Sequence, residues 1–356
     1  MTHESAPHRR LRALPTQLAE SEDGVRLRRG CVELRIRGER AAEIVAHVMS
    51  ATLGATADVD EICDSFAAPD RQGVRELIDE LAQRRILVGE DDPAAEAGEP
   101  EGPLEIFYWH FGQTRALVGE RLNSARVAIV GVNGVSHALV SCLAASGIAD
   151  VDVVDDPLLR NLRLFDCDGN LRAEGWPAAA APTASDGWEL DDVGCVVATS
   201  DFGGATLMRR WNAFCLDRGC HFLPVVLQDL IGYVGPLVVP GETACFECMS
   251  VRWNSNLDGD ESRWELLGFD TQDVIGYHPA LATALGAIAA FELTKFYGIR
   301  LPFSVVGRLL EINLLTMQMT PHRIFKVPRC PACSPLNARS ATSLTKSWFG
   351  FAQSEL

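Results

Sequence analysis

Two cysteine pairs, far apart in the chain, are the residues whose type and spacing most plainly imply chemistry. Cys245-Phe246-Glu247-Cys248 follows Pro240-Gly241-Glu242-Thr243, and Cys330-Pro331-Ala332-Cys333 follows Val327-Pro328-Arg329. Each C-x-x-C presents two soft thiolates from one tight turn, and four thiolates complete a tetrahedral zinc site. The same spacing also occurs in redox dithiols and in incidental turns. Two knuckles, each beside Pro or Gly, favour closed structural zinc held by Cys245, Cys248, Cys330 and Cys333. Four cysteines leave no coordination position for substrate or water. The expected ion therefore staples the fold, tying the turn after Val239 to the far end of the chain, and does no chemistry.

A second constellation surrounds Gly131-Val132-Asn133-Gly134-Val135-Ser136. A buried-strand run, Arg126-Val127-Ala128-Ile129-Val130, precedes it, a helical pattern over 138–146 follows, and Val151-Asp152-Val153-Val154-Asp155 is the next strand. Strand, turn, helix, strand and a terminal acid form the order of a nucleotide-binding βαβ unit. The turn departs from G-x-G-x-x-G, with Asn133 and Ser136 at the second and third glycine positions. A side chain at the second position hinders close approach of backbone to phosphate. The pattern thus predicts the fold well and nucleotide binding poorly. A later strand ends at Thr199-Ser200-Asp201, which supplies a second strand-end acid.

Length and composition bound the rest. With 356 residues and 47% hydrophobic content, the chain can bury a sizeable core and hold two domains. No apolar run of membrane-spanning length is apparent, and residues 1–12 lack the apolar stretch of a secretory signal. The seven cysteines outside the knuckles read as buried free thiols in a reducing cytosol. A net charge of −16 argues against nucleic acid as the main partner.

The N-terminal stretch reads as a small module over residues 1–88. Period-two patterns over 11–18, 25–28 and 32–37 suggest a three-stranded antiparallel sheet with arginines on its open face. Helical patterns over 41–48, 59–66 and 74–81 follow, and Ile86-Leu87-Val88 reads as a closing strand. Sheet, helices and a wing-like strand form a winged-helix pattern. DNA binding is disfavoured, because the module holds 13 Arg, no Lys and 15 acids. Six arginines against two glutamates lie between Gly24 and Arg40. A sheet edge beside an apolar helix groove suits an extended peptide added as a strand; a solvated basic face with no partner fits the composition equally. The predicted groove uses Arg28, Val32, Leu34, Ile36, Val74, Leu77 and Leu81.

Residues 89–103 read as an acidic linker and residues 104–336 as the larger α/β domain. That domain opens on Phe107-Tyr108-Trp109-His110-Phe111, either core or a partner surface. Its later elements are a long apolar helix over 279–297 and a hairpin over 305–327 bent at Thr320-Pro321-His322. Residues 254–273 read as a crossover loop, and 337–356 as a tail.

These features together resemble the ThiF/MoeB class of adenylyltransferases. The segment Gly232-Tyr233-Val234-Gly235-Pro236-Leu237-Val238-Val239-Pro240-Gly241 running into the first knuckle, with Glu311-Ile312-Asn313-Leu314-Leu315 before the second, resembles the ocin-ThiF branch. Members of that branch partner YcaO cyclodehydratases, which install azoles in ribosomal peptides. The resemblance implies a PqqD-like winged-helix element that grips a precursor's leader, a Rossmann-like ThiF/MoeB-type domain with structural zinc, a cytoplasmic location and a homodimer.

In adenylating relatives the glycine turn holds ATP, one strand-end acid holds ribose and another holds magnesium. Gly131, Asn133, Gly134, Asp155 and Asp201 occupy the matching places. Leu164 stands where a phosphate-binding Arg belongs, so Arg160 or Arg163 must substitute, and the first lysine of the chain is Lys295. Without that cation, developing phosphoryl charge loses a large electrostatic term. The resemblance therefore implies a leader-binding partner of a YcaO enzyme that does not itself hold ATP, its nucleotide residues vestigial. The alternative is an active peptide adenylyltransferase of the microcin C type.

Overall fold

The structure, a computed structural model, describes residues 9–96, 100, 102–148, 151–172, 176–177, 180–185, 188, 193–204, 207–255, 276–301 and 305–335. The chain divides into two compact units, Met1–Val118 and Gly119–Leu356. The expected crossover loop after residue 255 and the tail from 337 lie outside the described residues.

The first unit holds two three-stranded antiparallel sheets and a set of helices. The strand expected over 11–18 is broken at Pro15, which has no N–H to give a ladder. Its halves are β1 (Arg10–Ala13) and β2 (Gln17–Ser21), and they belong to different sheets. β2 pairs with β3 (Gly24–Arg29), and β3 with β4 (Val32–Arg37), which leaves β4 at an edge. The closing strand, β6 (Leu87–Gly89), does not extend that sheet. It pairs with β1, whose other side takes β5 (Ala57–Asp58).

Helices α1 (Ala41–Thr52), α2 (Val59–Asp64) and α3 (Arg71–Gln83) fall where their apolar spacing places them. Asp58 caps α2 by accepting from the amides of Asp60 and Glu61. α3 buries Val74, Ile78 and Leu81 at i, i+4 and i+7, in one core with Val25, Leu27, Val45, Val48 and Ile86. Each such side chain contributes about 1.5–3 kcal/mol by leaving water. Within the acidic stretch, α4 (Pro93–Glu96) buries Ala94 and Ala95 beside Trp109. The aromatic run forms α5 (Pro103–Trp109), with Tyr108 and Trp109 buried inside this first unit, later than the expected boundary.

The second unit begins with α6 (Arg115–Ser124), which spans the division, and is built on a mixed eight-stranded sheet. Its parallel half comprises β7 (Val127–Val130), β8 (Asp152–Asp155), β9 (Thr183–Ala184), β10 (Cys195–Ser200) and β11 (His221–Gln228), in the order 9-8-7-10-11. That is a doubly wound order, and its switch point lies between β7 and β10. β12 (Ile231–Val234), β13 (Arg308–Asn313) and β14 (Gln318–Arg323) extend it antiparallel. The last hairpin turns at residues 314–317, not at 320–322. Pro321 instead sits in edge strand β14, where a missing N–H is tolerated.

Helix α7 (Gly134–Ala145) begins earlier than its apolar pattern suggests. It packs on α10 (Pro279–Leu293), which follows α8 (Met208–Arg218) and α9 (Phe246–Asn254) in the chain. The approach is close enough to require Gly286, where a Cβ would lie 2.6 Å from the Val135 carbonyl. With its π-helical extension, Thr294–Ile299, α10 is the one described helix long and apolar enough to cross a membrane. Here it buries Leu285, Ala289, Ala290 and Leu293, and Lys295 bonds Glu292 within it. α8 and α9 pack in one core with Val196, Ala198, Phe222 and the knuckle cysteines.

Candidate functional site

The knuckle cysteines meet although 85 residues separate the pairs. The first knuckle is not a free tight turn: Cys245 is the residue before α9 and Cys248 lies in its first turn, so the helix fixes both thiols. The Cys245–Cys248, Cys245–Cys330 and Cys248–Cys333 sulfur separations are 3.8, 3.6 and 3.5 Å, and all four sulfurs lie within 4.8 Å. Metal–sulfur bonds of about 2.3 Å at tetrahedral angles put sulfurs about 3.8 Å apart, whereas a disulfide needs about 2.05 Å. The spacing therefore fits a four-coordinate ion.

Cys245, Cys248 and Cys330 are buried, and the Val327 amide donates to the Cys248 sulfur at 3.4 Å. Hydrogen bonding from Cys245 first, and then that amide, lowers the Cys248 thiol to about 4 despite burial. Of the other seven cysteines, Cys31 and Cys167 are exposed and Cys142 is half-buried, contrary to the expectation that all are inside.

At the switch point, Gly131 takes φ +101°, and a Cβ there would lie 2.7 Å from the Thr199 carbonyl. Asn133 is fully buried and caps α7: its Oδ1 accepts from the Val135 and Ser136 amides, both at 3.1 Å. The Ser136 hydroxyl accepts in return from the Asn133 amide at 2.9 Å, closing a capping box. Asn133 Nδ2 donates to Thr199 Oγ1 and to the Thr199 carbonyl, each at 3.0 Å. The next amide, that of Gly134, donates to Asp201 Oδ2 at 2.8 Å.

A helix N-terminus binds phosphate through such amides, because its first N–H groups lack partners within the helix. Here the chain's own side chains take them. Asp201 Oδ2 also accepts from Asn161 Nδ2 at 2.8 Å and from the Tyr277 hydroxyl. Burial, then the Asp201 charge, raises the Tyr277 hydroxyl well above the usual phenol range, so it stays protonated and donates. Asp201 is fully buried, and its Oδ1 has no hydrogen-bond partner among the described residues.

Asp155, placed by the resemblance at a ribose, is held by Arg160 through two 2.6 Å bonds to its two oxygens. That fork uses Arg160, one of the two arginines expected to substitute at a phosphate; the other, Arg163, is exposed. Asn161 and Tyr277 escaped the sequence reading as partners of Asp201. Asn161 carried a signal in heading Asn161-Leu162-Arg163, the segment in which a phosphate-binding Arg was sought; Tyr277 carried none, since 76 residues separate it from Asp201.

On β4, Val32, Leu34 and Ile36 are half-buried while Glu33, Arg35 and Arg37 are exposed. Arg28 is exposed on the opposite face of β3. Leu77 is half-buried, but Val74 and Leu81 are 1% and 0% exposed and belong to the core beneath any groove. Val32 pairs with Arg29 across a two-residue turn, and the Gly38 amide bonds the Asp23 carbonyl. The even-numbered amides of β4 therefore face β3, and those of Glu33, Arg35 and Arg37 face away from the sheet.

No family model matches the chain. The HesA protein of Leptolyngbya boryana is 25% identical over 233 residues, covering 60% of this chain and 78% of its own length. The fold is shared with E. coli MccB solved with ATP (TM-score 0.63, 16% identity, 91% of this chain and 100% of that one). It is shared too with MccB described as a microcin C7 biosynthetic enzyme in complex with N-formylated MccA (TM-score 0.64, 16% identity, 91% and 100%). The heterocyclase TruD matches over 92% of this chain but only 43% of its own length (TM-score 0.56, 17% identity).

Proposed function

We propose that this chain is a peptide-binding subunit in the biosynthesis of a modified ribosomal peptide and does not itself use a nucleotide. On this reading its N-terminal unit is a winged-helix recognition element. It takes a leader peptide as an added strand on β4, in the groove toward α3 that Leu34, Ile36 and Leu77 line. The larger unit then presents the core peptide to a separate YcaO enzyme, which spends ATP to close azoline rings on Cys, Ser or Thr. Zinc in the cysteine cluster braces the larger unit. The chain acts in the cytoplasm as a homodimer.

The observation that carries the reading is the head of α7. The amides of Gly134, Val135 and Ser136 are all bonded within the chain, and Asp155 is closed by Arg160. A triphosphate must displace Asn133 and Asp201 from these amides to be bound there. The structural likeness to MccB and TruD, one solved with MccA and the other named a heterocyclase, supports a place in peptide modification.

A second reading, peptide adenylylation of the MccB kind, draws on one specific feature. Asp201 keeps Oδ1 without a partner among the described residues, an oxygen suited to a magnesium ion. The two readings separate in one experiment. A fluorescein-labelled leader from a precursor peptide encoded beside this chain is titrated with the intact protein, and pyrophosphate exchange is followed in parallel. Saturable leader binding without exchange is expected; exchange lost on Asp201→Ala would establish the second reading instead.

A further inference from the structure

Arg29 ends β3, and strand alternation turns its side chain inward with Val25 and Leu27. The residue is 3% exposed. Its Nη1 donates to the Arg85 carbonyl at 2.6 Å. Nε and Nη2, which share one edge of the guanidinium, are buried and have no hydrogen-bond partner among the described residues. A buried charge without partners is costly, and an apolar side chain would fill the same place without that cost.

Two further basic groups stand beside it. Arg85 donates through Nε to the Trp109 carbonyl at 3.0 Å and through Nη2 to Asp92 Oδ2 at 2.6 Å. His110 Nε2 accepts from the Cys31 amide at 3.4 Å. Burial, then the Arg85 cation, pulls Arg29 down to about 10; burial, then the Arg29 charge, lowers His110. Asp92 is the nearby carboxylate, and Arg85 already engages it. Beside the buried Arg29, Arg85 and His110 are half-buried, and Gly30 and Cys31, at the hairpin tip, are exposed.

The Nε–Nη2 edge of an arginine matches the two oxygens of a carboxylate, donating two parallel bonds. Arg29 pairs across from Val32, the first residue of β4, and their side chains share a face. A strand laid along β4 passes Val32, the residue paired with Arg29, at one end. We propose that the Arg29 fork, flanked by Arg85 and His110, is a carboxylate seat whose occupant is an acidic side chain of the peptide added to β4. The choice of occupant rests on the peptide-docking reading above; the seat itself does not.

The test uses the intact ¹⁵N-labelled protein, following the arginine Nε–H resonances during titration with sodium acetate against sodium chloride at matched ionic strength. One resonance, identified by its loss in Arg29→Lys, is expected to shift saturably with acetate and not with chloride. Arg29→Lys keeps the charge, loses the fork, and should weaken acetate-dependent thermal stabilisation by about 10-fold in apparent affinity. Arg29→Met should raise the unfolding temperature in chloride and abolish the gain from acetate. No saturable shift in the wild type, or an equal fall in unfolding temperature for Arg29→Met in both salts, would make Arg29 a packing strut and overturn the seat.

The occupant is tested separately with the labelled leader peptide. Replacing its acidic residues by their amides should weaken binding to the wild type about 10-fold and leave binding to Arg29→Met unchanged. Equal effects on both proteins would overturn the assignment to the peptide even where acetate binds. If no leader binds at all, the docking reading fails, and the acetate titration still decides the seat.

Discussion

Asn133 does for the start of α7 what a phosphate does in a nucleotide enzyme: it gives the first amides an acceptor. Glycine at that position leaves the amides open, and asparagine closes them. Replacing Asn133 by Ala removes the cap and the amide bonds to Thr199, so urea denaturation should show a loss of about 1–2 kcal/mol. A cost near zero would mean that the cap does not shape the turn. The cysteine cluster permits an equally local test. Cys248→Ser removes one ligand from a set whose sulfurs lie within 4.8 Å. Metal analysis should then fall from about one equivalent per chain to well below it, with a lower unfolding temperature. Undiminished metal would put the ion elsewhere. The spacing of the C-x-x-C pairs made this cluster legible in the sequence. The Asp201–Tyr277 and Asp155–Arg160 pairings were not, because they depend on how loops return to the sheet, which no local periodicity encodes.

At the scale of elements, β4 is the strand to disturb. Its outward amides at Glu33, Arg35 and Arg37 are the donors an added strand would use. Arg35→Pro removes one of them without touching the ladder to β3, so leader binding should fall at least about 10-fold while the fold and metal content persist. Retained binding would exclude strand addition on this edge. Val74→Glu tests the fold instead, since Val74 is 1% exposed and a buried unpaired carboxylate unfolds the unit. Elements with strong periodicity, such as α3 and β10, were legible in the sequence. Pairing partners were less so: β1 and β2 read as one strand because only Pro15 divides them, and β6 looked like a wing because strand chemistry does not say which edge a strand joins. The last hairpin misled for a related reason. Thr320-Pro321-His322 has turn chemistry, yet an edge strand accepts proline where its nitrogen faces outward.

For the molecule as a whole, the chain divides into two units: one holds the sheet with β4 at its edge, the other a doubly wound sheet and the cysteine cluster. The order 9-8-7-10-11 places a ligand crevice where nucleotide proteins keep theirs, and there the chain has turned its own side chains inward. Whether the fold persists without a nucleotide is decided by isothermal titration of Mg·ATP into the intact, metal-replete protein. No saturable heat is expected up to millimolar ATP. Binding with a micromolar dissociation constant, lost on Asp201→Ala, would contradict it.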